Sequence, residues 1–442
     1  MKKSSIPLTI RTILTGIASM FCCILLLTVT ACIPQSAIQK QSEISADYFM
    51  RRESFAILIG DYVNSIQDNY SDTVLCDIIY CIDTAHPFDS VIRAKYAQGD
   101  NENAKDGYLS VVEGRSEANL EYGRYWHGTM VFLRPLLMLV PIQMIRLLFG
   151  TVCMAIQIFI FISFFRNGRQ SFAVCYLLSL LLIEPWMFFA SLEYSTTFLT
   201  ASVAELVVLL QRSKREDAEL MPLFAVIGVV TCFVDFLTTE TMTFTLPMLL
   251  VLMDGTTSTD MKEKRSVTDG IRTVVKNGLC WLGGYAGMFA LKMVLLFSVA
   301  GGDTVRESLS EGMFRIGGQV NEANVSIAPV VSFGRQLSGA IWHNLACLYP
   351  THTGLMEAGK AWIPTMIIVG IGLAAVYLLR DHIAWNKYVP MGFLAILPYV
   401  RFLALSNHAY VHFFITYRAQ MVTAAVFLLF IYENALKMLK KQ

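Results

Sequence analysis

The sequence is poor in charge and has no excess of either sign. Only 16% of its 442 residues are charged, against about 25% in a typical soluble domain, and the formal net charge is +1. Without a basic excess to neutralise phosphates, a nucleic-acid-binding protein is excluded. Hydrophobic residues make up 55% of the chain and the mean hydropathy is +0.52, which excludes intrinsic disorder. What remains is a protein that crosses a membrane many times.

The chain also lacks the short motifs of several enzyme classes. It has no phosphate-binding Walker loop, and its glycine pairs lack the strand-turn-helix context of a dinucleotide-binding fold. Gly283, Gly284 and Gly287 instead favour the close approach of two helices. No cluster of Cys or His residues has the spacing of metal ligands, so we predict no metal site. A bound divalent ion stays open, but no sequence pattern supports one. No cofactor is predicted.

Ten apolar segments approach the length of about 20 residues that a membrane-spanning helix needs. They predict an all-α, polytopic membrane protein with about ten transmembrane helices, two of them short. In chain order the segments are 12–33, 143–165, 171–190, 196–210, 220–236, 243–253, 278–300, 363–379, 389–405 and 419–432.

The distribution of Lys and Arg predicts the orientation, because short cytoplasmic loops carry an excess of both. One alternating set of connections is basic and the other has almost no Lys or Arg, so both termini are predicted in the cytoplasm. The resulting organisation is an N-terminal span (1–33), an outer loop (34–125), membrane helices (126–300), a second outer region (301–362) and C-terminal helices with a basic tail (363–442). The basic set comprises Arg166, Arg169, Arg212, Lys214, Arg215, Lys262, Lys264, Arg265, Lys276, Arg380, Lys387, Lys437, Lys440 and Lys441.

The N-terminal segment has a second interpretation. Residues 29–32 fit a lipoprotein cleavage box ending at Cys32, and the basic start suits a signal peptide. The apolar stretch before Cys32 is longer than a usual signal core, which favours a retained first span. Whether the box is used stays open.

The ionisable residues of the apolar region gather on the predicted outer side. Such groups are costly at membrane depth and usually mark a functional cavity, so we predict one site that opens outward. Other interpretations remain open. Each arginine could extend its charge to the lipid headgroups and have no further role. The two histidines, which are four residues apart, could be metal ligands or ordinary hydrogen-bonding groups. The residues in question are Glu193, Asp235, Glu240, Lys292, Arg401, Asn407, His408, His412 and Arg418.

The long outer loop carries two further features. Apolar residues recur at helical spacing between Ile44 and Ile66 and predict a helix along the membrane surface. The loop returns to the membrane through an aromatic segment that holds Arg124 and His127. Aromatic rings next to Arg and His suit a carbohydrate or a phosphate, although an interfacial aromatic belt has the same composition.

Three motifs carry a resemblance to a known group of enzymes. They are Asp-Asn-Tyr-Ser-Asp at 68–72, Tyr-Gly-Arg-Tyr-Trp-His-Gly at 122–128 and Asn-His-x-Tyr-x-His at 407–412, which continues to Arg418. With the Arg-Pro-Leu-Leu segment at 134–137, this layout resembles the GT-C glycosyltransferases, kin of protein mannosyltransferases and aminoarabinose transferases. The motifs are also similar to those of uncharacterised multi-spanning proteins of Gram-positive bacteria.

The resemblance implies transfer of a sugar from a polyprenyl-phosphate carrier to an acceptor of the cell envelope. It implies Asp72 as the general base, with Asp68 as substitute, and cations that hold the leaving phosphate. Glu43 and Asp47 lie nearer the first span, as the acid does in better-known members, but in a poorer motif. The candidate cations are Arg124, Arg134, Lys292, Arg401 and Arg418.

Two other classes of function stay open. A polytopic transporter or flippase for a lipid-linked or envelope precursor would also need many spans, but its usual internal repeat is not visible. A non-catalytic assembly factor would use the outer loop to bind a partner. The expected partners are therefore membrane lipid and a lipid-linked sugar, not nucleic acid, and the oligomeric state stays open.

Overall fold

A computed structural model describes residues 6–60, 62–98, 103–211, 220–254, 266–320, 330–349 and 362–439. This part of the chain is 79% helical, which confirms the predicted all-α class. In chain order its α-helices are α1 (Leu8–Ala31), α2 (Gln35–Met50), α3 (Asn69–Tyr80), α4 (Pro87–Arg93), α5 (Ala104–Val112), α6 (Met130–Leu136), α7 (Ile142–Arg166), α8 (Gln170–Leu182), α9 (Leu192–Gln211), α10 (Met221–Val234), α11 (Met242–Asp254), α12 (Val267–Ala300), α13 (Gly302–Gly317), α14 (Phe333–Ala346), α15 (Trp362–Leu379), α16 (Trp385–Ala404), α17 (Ser406–Val411), α18 (Phe413–Thr416) and α19 (Met421–Leu439).

Six helical segments among the described residues are long and apolar enough to cross a membrane. They are α1, α7, α9, α12, α15 and the segment Phe413–Leu439 that ends in α19. Three shorter apolar helices, α8, α10 and α11, have 13 or 14 residues. The protein is thus membrane-embedded, and each of the ten apolar segments falls on a helix. Six of the ten predicted crossings lie on helical segments that are both long and apolar enough to span a membrane, and the full number stays a prediction.

Residues 34–125, which we call the insert, fold into a layer at one end of the helix bundle. The insert contains α2 to α5 and two antiparallel hairpins, β1 (Phe55–Ile57) with β2 (Ile66–Asp68) and β3 (Lys95–Tyr96) with β4 (Leu120–Glu121). Its buried residues share one apolar core with α1, α10 and α12, which contribute Leu27, Val229 and Met288. The insert is therefore packed onto the bundle through apolar contacts.

One sequence prediction within the insert is wrong. The helical spacing from Ile44 to Ile66 predicts a single helix, but α2 ends at Met50 and Phe55–Ile57 forms β1. Aromatic and β-branched residues favour a strand where a partner strand is present, and the partner, β2, lies across a turn. The hairpin pairs Phe55 with Asp68 and so places Asp68 at the start of α3.

Helices α10 and α12 pack closely because each places a glycine against the backbone of the other. A Cβ atom at Gly284 would overlap the carbonyl oxygen of Ala225, and one at Gly228 would overlap that of Trp281. Gly283, the next residue, has no atom within 4 Å of such a Cβ. The predicted close approach of two helices at this glycine cluster is confirmed for Gly284.

Replacing these two neighbouring glycines by alanine should have opposite effects. Gly284→Ala forces the helices apart, and we expect the free energy of unfolding to fall by about 1–3 kcal/mol. Gly283→Ala is the matched control, with a gain of up to about 1 kcal/mol because alanine favours a helix. Unfolding titrations in mixed micelles measure both. Equal effects of the two substitutions would contradict the packing described here.

Candidate functional site

Asp72, the predicted lead base, is buried and fully engaged with other parts of the protein. Its side chain is 1% exposed, and its Oδ2 accepts hydrogen bonds from Arg146 Nε at 2.7 Å and Nη2 at 2.6 Å. The backbone N–H of Leu192 donates to the same carboxylate at 3.0 Å. Asp72 therefore joins α3 to the first residues of α7 and α9, and its oxygens face protein groups.

A cavity of about 410 Å³ lies between the insert and the ends of the bundle helices. Five elements distant in sequence contribute to its walls: the start of α3, the segment before α6, the start of α9, one face of α13, and α17. Asp72 does not line it, whereas Asp68 does. The lining residues are Phe55, Asp68, Tyr70, Ser71, Val74, Leu75, Tyr96, Leu120, Glu121, Tyr122, Arg124, Tyr125, His127, Glu193, Phe236, Glu307, Glu311, Arg315, His408 and His412.

Two carboxyl groups lie next to each other on one wall of the cavity. Asp68 is the N-cap of α3 and accepts hydrogen bonds from the backbone N–H of Ser71 at 2.8 Å and from its hydroxyl at 2.9 Å. Glu193, in the first turn of α9, is in hydrogen-bonding contact with Asp68 and Ser71. Its Oε2 atom is buried with no hydrogen-bond partner among the described residues. The Asp68 and Glu193 carboxyl groups therefore lie together in the cavity lining.

The opposite wall combines arginine with aromatic rings. The Arg124 guanidinium lies 4.2 Å from the ring centre of Tyr122 and 5.3 Å from that of Tyr125. Its Nε is buried and, among the described residues, has no acceptor. Such stacking fixes the direction of a guanidinium, and the Tyr125 side chain also accepts a hydrogen bond from Arg124. Arg124 Nε is therefore a buried, oriented donor with no acceptor among the described residues.

His127 lies beside Arg124 in a backbone conformation that few residues adopt. Its φ angle is +52°, in the left-handed region, and the following Gly128 N–H donates to Phe233 O at 2.9 Å. A Cβ at Gly128 would overlap Phe233. The ring of His127 is 2% exposed. Burial, reinforced by the charges of Lys292 and Arg124, lowers the pKa of His127 to about 3, so its imidazole is neutral at physiological pH.

His408 and His412 form a pair at the end of the cavity nearest α13. Their ring centres are 4.6 Å apart, and burial, together with the charges of Arg315 and Arg401, lowers the pKa of His412 to about 3. Arg401 Nη2 lies 3.4 Å from His408 Nδ1, and Arg401 Nε donates to Glu240 at 2.8 Å. Across the described ranges, no group of three or more His, Cys, Asp or Glu side chains could hold a metal ion.

Two predicted cations bind backbone carbonyls away from the cavity. Arg134 donates from Nε to the carbonyl of Ile33 at 3.1 Å and also binds that of Ile79, joining the end of α1 to the end of α3. Lys292 Nζ donates to the carbonyl of Ile92 at 2.8 Å. Each charge thus completes backbone hydrogen bonding between the insert and the bundle, and neither residue lines the cavity.

Three further predicted residues also make internal contacts outside the cavity lining. Arg418 donates to the carbonyl of Asn64 at 3.1 Å. Asp235 accepts a hydrogen bond from Thr197 at 2.6 Å. Asn407 donates a hydrogen bond to the backbone carbonyl of Gly318 at 3.1 Å. Of the thirteen predicted site residues, the cavity lining therefore contains Asp68, Arg124, His127, His408 and His412.

Five charged residues of the cavity lining have no assigned catalytic or binding role in the sequence analysis: Glu121, Glu193, Glu307, Glu311 and Arg315. Glu193 was noted only as one ionisable residue at a span end, with no motif around it. Glu307, Glu311 and Arg315 lie four residues apart, which places them on one face of α13, and all three line the cavity. That spacing was the available signal, but it needed the knowledge that α13 is a helix.

Comparison with protein-family models, with curated proteins and with solved structures found no match to this chain. The fold and the cavity therefore define the class directly: an all-α, membrane-embedded protein with a polar cavity at one end of its helix bundle.

Breaking the buried ion pair should destabilise the whole protein. Asp72→Asn leaves the Arg146 charge without a counterion in a dry environment, and we expect a loss of about 3–5 kcal/mol in the free energy of unfolding. Asp89→Asn is the control, because its pair with Arg93 is solvent-exposed and is worth less than about 1 kcal/mol. Denaturation in detergent measures both, and a loss below about 1 kcal/mol for Asp72→Asn would refute this structural role.

Proposed function

We propose that the protein is a membrane glycosyltransferase that moves a sugar from a polyprenyl-phosphate carrier to a cell-envelope acceptor. The observation that carries this proposal is the cavity, where the Asp68 and Glu193 carboxyl groups face an arginine and aromatic wall. Carboxylate, guanidinium and aromatic surface are the groups that base-assisted transfer from a glycosyl phosphate requires. The chain carries them on one surface.

The proposed reaction uses Asp68 as the general base. Its carboxylate takes the proton of the acceptor hydroxyl, the acceptor oxygen bonds to the anomeric carbon, and the bond from that carbon to the phosphate oxygen breaks. The electron pair leaves with the polyprenyl phosphate, whose charge Arg315 stabilises. Asp68 replaces Asp72 as the lead base because Asp72 is enclosed by Arg146 and Leu192.

A lipid-linked donor is supported by the shape of α13. One face of this helix carries Glu307, Glu311 and Arg315 toward the cavity, while Leu309, Met313 and Ile316 are exposed on the other side. A helix with one charged and one apolar face suits the boundary between headgroups and acyl chains. A donor whose sugar phosphate occupies the cavity would keep its prenyl chain beside this helix, in the bilayer.

The proposed topology has ten crossings, both termini in the cytoplasm and the cavity on the outer face. Its support is that the basic connections of the sequence follow the ends of α7, α9, α11 and α15, whereas the insert contacts the starts of α7 and α9. Short basic connections are characteristic of the cytoplasmic side.

Asp68→Asn tests the assigned base. Asparagine is as good an N-cap as aspartate, so α3 keeps its cap while the base is lost. We expect a 10²- to 10⁴-fold fall in transfer with no loss of stability. Mass spectrometry of envelope glycans and lipid-linked sugars, in a deletion strain complemented with each variant, measures the product.

Two control variants and two decisive outcomes make this test specific. Asp89→Asn should behave as the unsubstituted protein, and Asp72→Asn should lose activity in proportion to folded protein. Undiminished product with Asp68→Asn would overturn the assignment of the base. Accumulation of a finished lipid-linked product in the deletion strain would instead favour the transporter or flippase.

A further inference from the structure

The tautomer of His127 follows from one hydrogen bond. His127 Nε2 lies 3.0 Å from the backbone carbonyl oxygen of Tyr122. A carbonyl only accepts hydrogen bonds, so Nε2 must carry the hydrogen. In a neutral imidazole the other nitrogen, Nδ1, then carries a lone pair and acts as an acceptor.

Among the described residues, no donor reaches this acceptor. His127 is 2% exposed and lines the cavity, yet Nδ1 is buried with no hydrogen-bond partner among the described residues. A buried polar atom without a partner costs free energy, so native proteins rarely leave one unless a ligand or water supplies the bond. The left-handed backbone of His127 adds a local cost that often marks a functional position.

The groups around His127 Nδ1 restrict the chemical class of the ligand that could bind there. A phosphodiester, such as the linkage of a prenyl-phosphate sugar, offers only acceptor oxygens, which the Nδ1 lone pair repels, so His127 does not suit that part of a donor. Arg124 Nε, also buried without a partner, supplies a donor on the same wall. The rings of Tyr122 and Phe236 lie 5.1 Å from the His127 ring and provide flat apolar surface. One acceptor, one donor and aromatic faces together match a neutral ring that bears several hydroxyl groups.

We propose that Tyr122, Arg124, His127 and Phe236 form a binding site for a neutral sugar ring, with His127 Nδ1 accepting a hydrogen bond from a sugar hydroxyl. The proposal assigns the glycosyl unit of the donor to these four residues. It rests on the proposed function for the choice of a sugar as the ligand. The anionic part of a donor belongs to the side of the cavity near Arg315. The sugar site exists whether the bound sugar is transferred or transported.

Two substitutions separate the two nitrogens of His127. Asparagine tolerates the left-handed region, and its side-chain oxygen can take the place of Nδ1, so His127→Asn keeps the acceptor. Glutamine reaches one atom further, so His127→Gln keeps a donor to the Tyr122 carbonyl and loses the acceptor. The two variants are of similar size and polarity, which makes each the control of the other.

The test measures binding to the full chain in lipid nanodiscs by saturation-transfer NMR. The probes are a panel of neutral methyl glycosides, their mono-deoxy analogues and inorganic phosphate. We expect at least one glycoside to bind, His127→Asn to retain it and His127→Gln to weaken it about tenfold, the size of one hydrogen bond. Removing one particular hydroxyl from the glycoside should cause the same loss in the unsubstituted protein and no further loss in His127→Gln.

Several outcomes would overturn the proposal: no glycoside of the panel binds, His127→Gln binds as well as the unsubstituted protein, or phosphate binding is what depends on His127. The deoxy series needs no variant, so it stays decisive if a variant does not fold. Glycoside binding that depends on His127 in a protein without transferase activity would reject the reaction and keep the sugar site. Transfer that depends on Asp68 but not on His127 would do the reverse.

Discussion

The buried ion pair of Asp72 and Arg146 is the contact on which the arrangement of the site depends. Neither side chain is more than 1% exposed, so the charges compensate each other in a place that water does not reach. The same carboxylate accepts the Leu192 N–H, which fixes the start of α9. Glu193 follows directly, and Asp68 lies one turn before Asp72. The pair thereby sets the distance between the two carboxyl groups of the cavity.

The predicted charges fall into two groups with different physical roles. Arg134 and Lys292 bind backbone carbonyls at the junction of insert and bundle, where an unpaired carbonyl would be costly. Arg124 and His127 each keep one buried polar atom that has no hydrogen-bond partner in the part of the chain that the structure describes. The first group supports the shape of the cavity, and the second faces its contents. A charged residue near a membrane span is therefore not, by itself, a ligand-binding residue.

The sequence was sufficient for the helical class and the position of the apolar segments, because composition and hydropathy carry these properties. It was insufficient for the role of Asp72, since the partner Arg146 lies 74 residues away and no local pattern joins them. The continuation of helical spacing past Met50 misled for the same reason: the pairing of Phe55 with Asp68 is not local. Glu193 lies next to Asp68 only because α9 packs against α3, and no local sequence pattern shows that contact.

The cavity draws its walls from the beginning, the middle and the end of the chain, from Phe55 to His412. During synthesis the insert is complete long before α13 and α17 leave the ribosome. Until α17 has packed against the other helices, the carboxyl groups of Asp68 and Glu193 face an unfinished wall. A nascent or truncated chain therefore has no closed site, and any activity of the cavity begins only with the finished polypeptide.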